Sequence, residues 1–373
     1  MNRHNTTLRS TNLTLPALLL CGSQLTGACV TPESATNSDS DGSSGATDAS
    51  ASASTSASAS ATDTTPTTTV DPTAATDTAN ETEGTTGGGM EPTTGTGIDP
   101  SAEDEVLFQK ALALYDAADF AGADPLFVQL WDMYPDSARR DNAGYLHGRC
   151  LYALLDFVGV GAAMQATITA YPASVWVDES EYFWGRALFR LLSYAEALTH
   201  FDLSVKANAA GTYVDNAYYY GGRTKFEQKD YAGAEAVLAS FESKYPASTY
   251  IDNAFYYLGR ARFSAGDKAG AKLALNHVLD FPDSIYLDNA TYYLGRSEYS
   301  LGALPAALTW FKDVVSKYPG SVYEDNAMFY EVRVYVDQAD CTNAKAVLAT
   351  LQSQFPGGSY TAQAQTYATM GGC

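Results

Sequence analysis

The sequence predicts an all-α solenoid that follows a long unstructured tether. Three observations carry this reading. First, the stretch Asp252-Asn253-Ala254-Phe255-Tyr256-Tyr257-Leu258-Gly259-Arg260 returns, barely altered, from Asp215 to Arg223 and from Asp288 to Arg296. Looser copies begin at Asp141, Asp178 and Asp325, so successive copies lie 37, 37, 37, 36 and 37 residues apart. A period in that range marks units that bury their apolar faces only against their neighbours. Second, an aromatic-Pro dipeptide closes nearly every unit. Third, the composition divides the chain in two. Between Arg9 and Lys110 there is no Lys or Arg, whereas aromatic and aliphatic residues recur regularly after Ser101.

Residues 1–28 read as an export signal. Arg3 and Arg9 give a positive start, Leu13 to Leu20 a short apolar run, and Thr26-Gly27-Ala28-Cys29 small residues before a cysteine. The run is too short to span a bilayer. The pattern resembles a bacterial lipoprotein signal, which implies lipidation of Cys29. Ordinary cleavage after Ala28, releasing a soluble exported protein, is the alternative. Residues 29–100 are rich in Ser, Thr, Ala, Gly and Asp and have almost nothing to bury, so they are expected to form a disordered linker. A flexible chain of that length has an end-to-end distance of about 45 Å and a stretched limit of about 230 Å.

The folded part is assigned to residues 101–373. Val106, Leu107, Leu112, Leu114 and Tyr115 recur at helical spacing, and Asp119-Phe120 then opens a second helix that stops at Tyr134-Pro135. Later units repeat the pair and stop at Tyr171-Pro172, Tyr245-Pro246, Phe281-Pro282, Tyr318-Pro319 and Phe355-Pro356. Proline cannot continue a helix interior. Ser137, Ser174, Ser248, Ser284 and Ser321, two residues after each proline, are expected N-caps of the next first helix. The third unit has Asn208-Ala209 where the dipeptide should be. Ser359 to Met370 reads as a helix covering the last open face. Antiparallel packing would set its end, Cys373, beside Cys341 at the start of the preceding helix, so a Cys341–Cys373 disulfide is expected. Cys150 replaces Ala187, Thr224, Ala261 or Ser297 of other units and reads as a small buried residue.

These repeats resemble tetratricopeptide repeats. With the glycine of Gly-Arg as the eighth position, Gly222 is followed by Ala234, Leu238 and Pro246, and Gly295 by Ala307, Phe311 and Pro319, as the family pattern requires. The resemblance implies a right-handed superhelix of about seven helix pairs plus a capping helix. It also implies that the second, fifth and ninth positions line a concave groove. Those positions are Asn142, Tyr145 and Arg149; Glu179, Tyr182 and Arg186; Asn216, Tyr219 and Arg223; Asn253, Tyr256 and Arg260; Asn289, Tyr292 and Arg296; and Asn326, Phe329 and Arg333. Two readings of that stripe stand. An amide, a ring and a guanidinium suit an extended peptide chain as ligand. The same residues also serve helix capping and ion pairing with neighbouring Asp residues.

Asn-Ala-x-Tyr-Tyr-Leu-Gly-Arg with a later Tyr-Pro-x-Ser further resembles bacterial envelope proteins, namely the periplasmic coordinator of the Tol-Pal cell-division system and the outer-membrane assembly lipoprotein BamD. That resemblance implies a non-catalytic scaffold, anchored to the outer membrane through Cys29 and facing the periplasm, that binds an envelope protein in its groove. A glycan- or peptidoglycan-associated protein that stacks sugars on the tyrosine ladder is the alternative. The formal charge of −21 and the lack of a basic stripe argue against nucleic acid. His4, His147, His200 and His277 show no metal-ligand spacing, and no phosphate loop or nucleophile elbow is present. No cofactor, metal or catalytic residue is expected.

Overall fold

The computed structural model describes Asp99 and residues 101–373. The signal segment, the linker and Cys29 lie outside the described residues. Sixteen helical segments and no strand occur among those described. They form seven helix pairs and one final helix. The pairs are α1 (Glu103–Asp116) with α2 (Phe120–Met133), α3 (Arg140–Ala153) with α4 (Phe157–Ala170), and α5 (Val177–Arg190) with α6 (Tyr194–Ala207). The fourth pairs α7 (Val214–Glu227) with α8 (Tyr231–Leu238) and α9 (Phe241–Lys244), one second helix interrupted at Ala239 and Ser240. Then come α10 (Ile251–Ala265) with α11 (Lys268–Val278), α12 (Leu287–Ser300) with α13 (Leu304–Lys317), α14 (Glu324–Asp337) with α15 (Cys341–Gln354), and finally α16 (Ser359–Met370).

Five of the seven second helices open on an Asp whose carboxylate accepts from the backbone N–H three residues on: Asp119 from Gly122, Asp156 from Gly159, Asp230 from Gly233, Asp267 from Gly270 and Asp340 from Asn343. Helices α6 and α13 open on Ser193 and Ala303 without a side-chain cap. The first helices start differently from the serine caps expected. Their N-cap residues are Arg139, Trp176, Tyr213, Tyr250, Tyr286 and Tyr323, none with a side-chain cap. The serine hydroxyl instead accepts from the backbone N–H of that residue, at 3.1 Å for Tyr250 and Ser248. Each serine is therefore a turn residue. At all of these positions but Arg139 the cap residue is an aromatic ring. In the third unit Gly211 stands at the serine position, and Asn208, three residues earlier, accepts from the Ala210 N–H at 3.1 Å.

Pair packing depends on the eighth-position glycine. A Cβ on Gly185 would lie 2.8 Å from the Phe201 ring, and one on Gly222 would strike Leu238. Without a side chain there, the bulky residue of the second helix seats directly on the first-helix backbone. Along the array each first helix touches its own second helix, the preceding second helix and the neighbouring first helices, whereas second helices make no comparably close contact with one another. The first helices thus form the inner, tighter row. Helix α16 packs on α14 and α15. Cys341 and Cys373 are disulfide-bonded, with Cα atoms 5.0 Å apart and a sequence separation of 32.

Closing a loop of that length removes denatured-state entropy equivalent to about 3 kcal/mol. Cys373→Ser is therefore expected to lower the urea midpoint, with α16 losing amide-exchange protection before the central repeats. Equal protection of α16 in the variant would show that its packing alone holds it.

Candidate interaction surface

The inner row carries the predicted stripe, and its geometry sorts the residues sharply. Tyr145, Tyr182, Tyr219, Tyr256 and Tyr292 are 0–3% exposed, and Phe329 is 7% exposed. Each tyrosine ring is covered by the aromatic residue at the N-cap of the next first helix, and Phe329 by Tyr360 in the first turn of the final helix. Tyr145 stacks on Trp176 at 5.0 Å between centroids and Tyr182 on Tyr213 at 4.9 Å. Tyr256 stacks on Tyr286 at 4.2 Å, Tyr292 on Tyr323 at 4.6 Å, and Phe329 meets Tyr360 at 5.6 Å. The sequence reading missed these partners. Their signal was present, since Trp176, Tyr213, Tyr250, Tyr286, Tyr323 and Tyr360 repeat at the same period as the motif. The ladder is turned into the wall and offers no ring face to a sugar.

The arginines extend the ladder along the array. Each guanidinium lies between a ring from the preceding unit and one from the following unit. Arg186 sits 5.3 Å from the Tyr152 centroid and 4.2 Å from that of Tyr220. Arg223 is 5.0 Å from both Phe189 and Tyr257, and Arg260 lies 4.7 Å from Phe226 and 5.2 Å from Tyr293. Arg149, Arg296 and Arg333 repeat the arrangement, Arg333 taking Tyr367 of the final helix as its outer ring. A guanidinium tolerates this site because it is weakly hydrated and planar, and each such contact is worth about 0.5–2 kcal/mol.

Hydrogen bonds tie the three residue types together. Arg149, Arg186 and Arg260 each donate to the Tyr hydroxyl one turn earlier, at 3.0, 2.6 and 3.2 Å. The same hydroxyl accepts from the Asn of the next unit: Asn216 to Tyr182 at 3.3 Å and Asn289 to Tyr256 at 3.1 Å. Glu179 occupies the Asn position in the third unit, with Tyr145 and Arg149 facing it, and burial pushes its carboxyl upward. Burial also holds the Tyr145 and Tyr292 hydroxyls well above the ordinary tyrosine value, so both stay protonated. What remains half-buried on the inner row is Glu179, Asn216, Asn253 and Asn326 with Arg149, Arg260, Arg296 and Arg333.

The other singled-out residues also find places in the wall. Cys150 is fully buried and its thiol is pushed up to about 12 by desolvation, which removes thiolate chemistry. His147 Nδ1 lies 2.6 Å from Asp124, and the pair is half-buried. His200 Nδ1 lies 2.6 Å from Glu181. Among the described residues no group of three or more His, Cys, Asp or Glu side chains is placed to hold a metal, and no helix is long and apolar enough to cross a membrane.

The paired helices, the small eighth position and the inner row of first helices decide the fold. The chain is a tetratricopeptide solenoid. The C-terminal part of a tetratricopeptide protein from Cytophaga hutchinsonii superposes with a TM-score of 0.56 at 16% identity, covering 69% of this chain and 98% of that one. A tetratricopeptide protein from Parabacteroides merdae is also similar, with a TM-score of 0.47 at 11% identity over 71% of this chain and 98% of that one. Residues 212–365 match the family model YfiO, outer membrane lipoprotein. No curated protein matches the chain. The solenoid thus resembles an envelope tetratricopeptide lipoprotein of the BamD type over its later repeats.

Two outcomes follow from the buried network. Tyr256→Phe leaves the Arg260 and Asn289 donors without their shared acceptor and is expected to cost about 1–3 kcal/mol in urea unfolding. A change below about 0.3 kcal/mol would show that water replaces the hydroxyl. Glu331, 5% exposed, is raised to about 7 by burial, with Lys312 opposing. Between pH ~4.5 and ~7 the folded chain retains a proton that the unfolded chain has released, so Glu331 makes stability fall as pH rises through that window. The loss is on the order of 3 kcal/mol, and Glu331→Gln is expected to abolish it in melts at pH 5 and pH 8.

Proposed function

We propose that this chain is a non-catalytic envelope scaffold whose inner row of first helices binds an extended segment of another protein. The observation that supports the reading is the division of labour within the stripe. Its rings are consumed by packing, while Asn216, Asn253 and Asn326 and the edges of Arg260, Arg296 and Arg333 recur along the row with partial access. Amide and guanidinium groups that recur in register with the repeat suit a ligand that itself repeats, and a peptide backbone presents a carbonyl and an N–H at every residue. The match of residues 212–365 to an outer membrane lipoprotein family supports an envelope setting. In this reading Cys29 carries the lipid and residues 30–100 let the solenoid range outward from the membrane. The glycan alternative loses its proposed surface, because the tyrosine faces are covered.

The test is capture of partners from detergent-solubilised envelopes by the full chain and by an Asn253→Lys/Asn326→Lys variant. Both positions are half-buried, so the variant is expected to melt within about 2 °C of the parent. A partner recovered by the parent and reduced at least tenfold by the variant supports the inner row as the site. Equal recovery by both would overturn it. Co-sedimentation of the parent with purified peptidoglycan would favour the glycan alternative.

A further inference from the structure

The seventh position of each first helix points away from the inner row, into the cleft between its own and the preceding second helix. It is filled by His147, Trp184, Leu258, Leu294 and Glu331, but in the fourth unit it is Gly221. The third unit shows what that cleft accommodates. Trp184 stacks on His200 of α6 at 3.9 Å between centroids, and its Nε1 lies 3.1 Å from where a Cβ on Gly161 of α4 would stand. One repeat later the counterparts of Gly161 and His200 are Leu198 of α6 and Val237 of α8. Between them there is no ring. A Cβ on Gly221 would meet nothing within 4 Å. The space is an open cavity of about 420 Å³, walled by Leu198, Val237, Phe201, Val205 and Tyr218.

We propose that this cavity receives a tryptophan side chain from a partner protein, in the place that Trp184 fills one repeat earlier. The volume falls in the range of small-ligand sites, and the walls are mostly apolar, with Thr199, Asp202 and Lys225 among them. Acceptors stand at the rim. Thr199 donates its hydroxyl proton to the Ala195 carbonyl, leaving lone pairs for an indole N–H, and the Asp202 carboxylate lies beside it. Asp202 is paired with Lys206 at 2.6 Å on an exposed face, and Lys225 lies 3.7 Å from Asp230. The occupant cannot come from the preceding part of this chain, since no Phe, Trp or Tyr occurs before Phe108. The lining carries one acid and one base, Asp202 and Lys225, so the ring rather than the charge of its flanks selects the occupant. This site lies on the outer side of the array and stands independently of the inner-row reading.

The probe is N-acetyl-tryptophanamide, titrated into the full chain and followed by amide chemical shifts. Saturable binding is expected at about 1 mM, with the shifts confined to α6, α7 and α8. Gly221→Leu installs the residue found at Leu258 and Leu294 and is expected to weaken binding at least tenfold without lowering the melting temperature. Leu198→Trp fills the cavity from the opposite wall and is expected to do the same. N-acetyl-phenylalaninamide, which lacks the indole N–H, is expected to bind several-fold more weakly. Binding unchanged by both filling variants, equal binding of the two amides, or no saturation below about 20 mM would each overturn the proposal.

Discussion

Six arginines lie sandwiched between aromatic rings drawn from the units before and after them, and the integrity of the array rests on that contact. A solenoid has no single core, so each unit must be fixed to its neighbours by interactions that repeat without drift. Arg186 between Tyr152 and Tyr220, and Arg260 between Phe226 and Tyr293, each span three units with one side chain. The guanidinium also donates to the tyrosine hydroxyl one turn earlier in its own helix. Removing the charge would leave two ring faces without their filler, and removing a ring would leave a buried charge exposed to the cavity. Either change would be felt on both sides of the unit.

This arrangement explains why the ends are built as they are. Helix α16 supplies Tyr360 for Phe329 and Tyr367 for Arg333, the contacts that a first helix makes in the interior of the array. Tyr367 also donates to Asp337 at 2.7 Å, and the Cys341–Cys373 bond holds the end of the chain in place. At the other end Arg139 lies over Phe108 at 5.0 Å and bonds Glu105, substituting a cation for the aromatic cap residue used elsewhere. The array is therefore closed by residues that imitate its interior.

The same rule separates the surfaces left for function. Positions used for stacking are aromatic in every unit but the one capped by Arg139, whereas the seventh position varies from His147 and Trp184 to Gly221, Leu258, Leu294 and Glu331. Variation at a site that faces a cleft creates local differences in an otherwise regular wall: a cavity at Gly221, a raised carboxyl at Glu331, a stacked indole at Trp184. A repeat protein acquires specific sites by departing from its own pattern at positions the pattern does not need.

The number of helix pairs, their boundaries within a few residues, the small eighth position and the final helix were legible in the sequence because each is a local property repeated along the chain. Helix periodicity, aromatic-Pro stops and Asp starts act within one unit, and repetition averages away the exceptions at Asn208 and Val332. The face each residue serves was not legible. Helical spacing places Asn253, Tyr256 and Arg260 on one stripe, but it does not say what covers them. Tyr256 is buried because Tyr286 folds onto it from the following unit, and Arg260 is enclosed because Phe226 and Tyr293 approach from both sides. Spacing within one helix determined which residues stand together. Contact between units, across separations of some 37 residues, decided which of them are wall and which are surface.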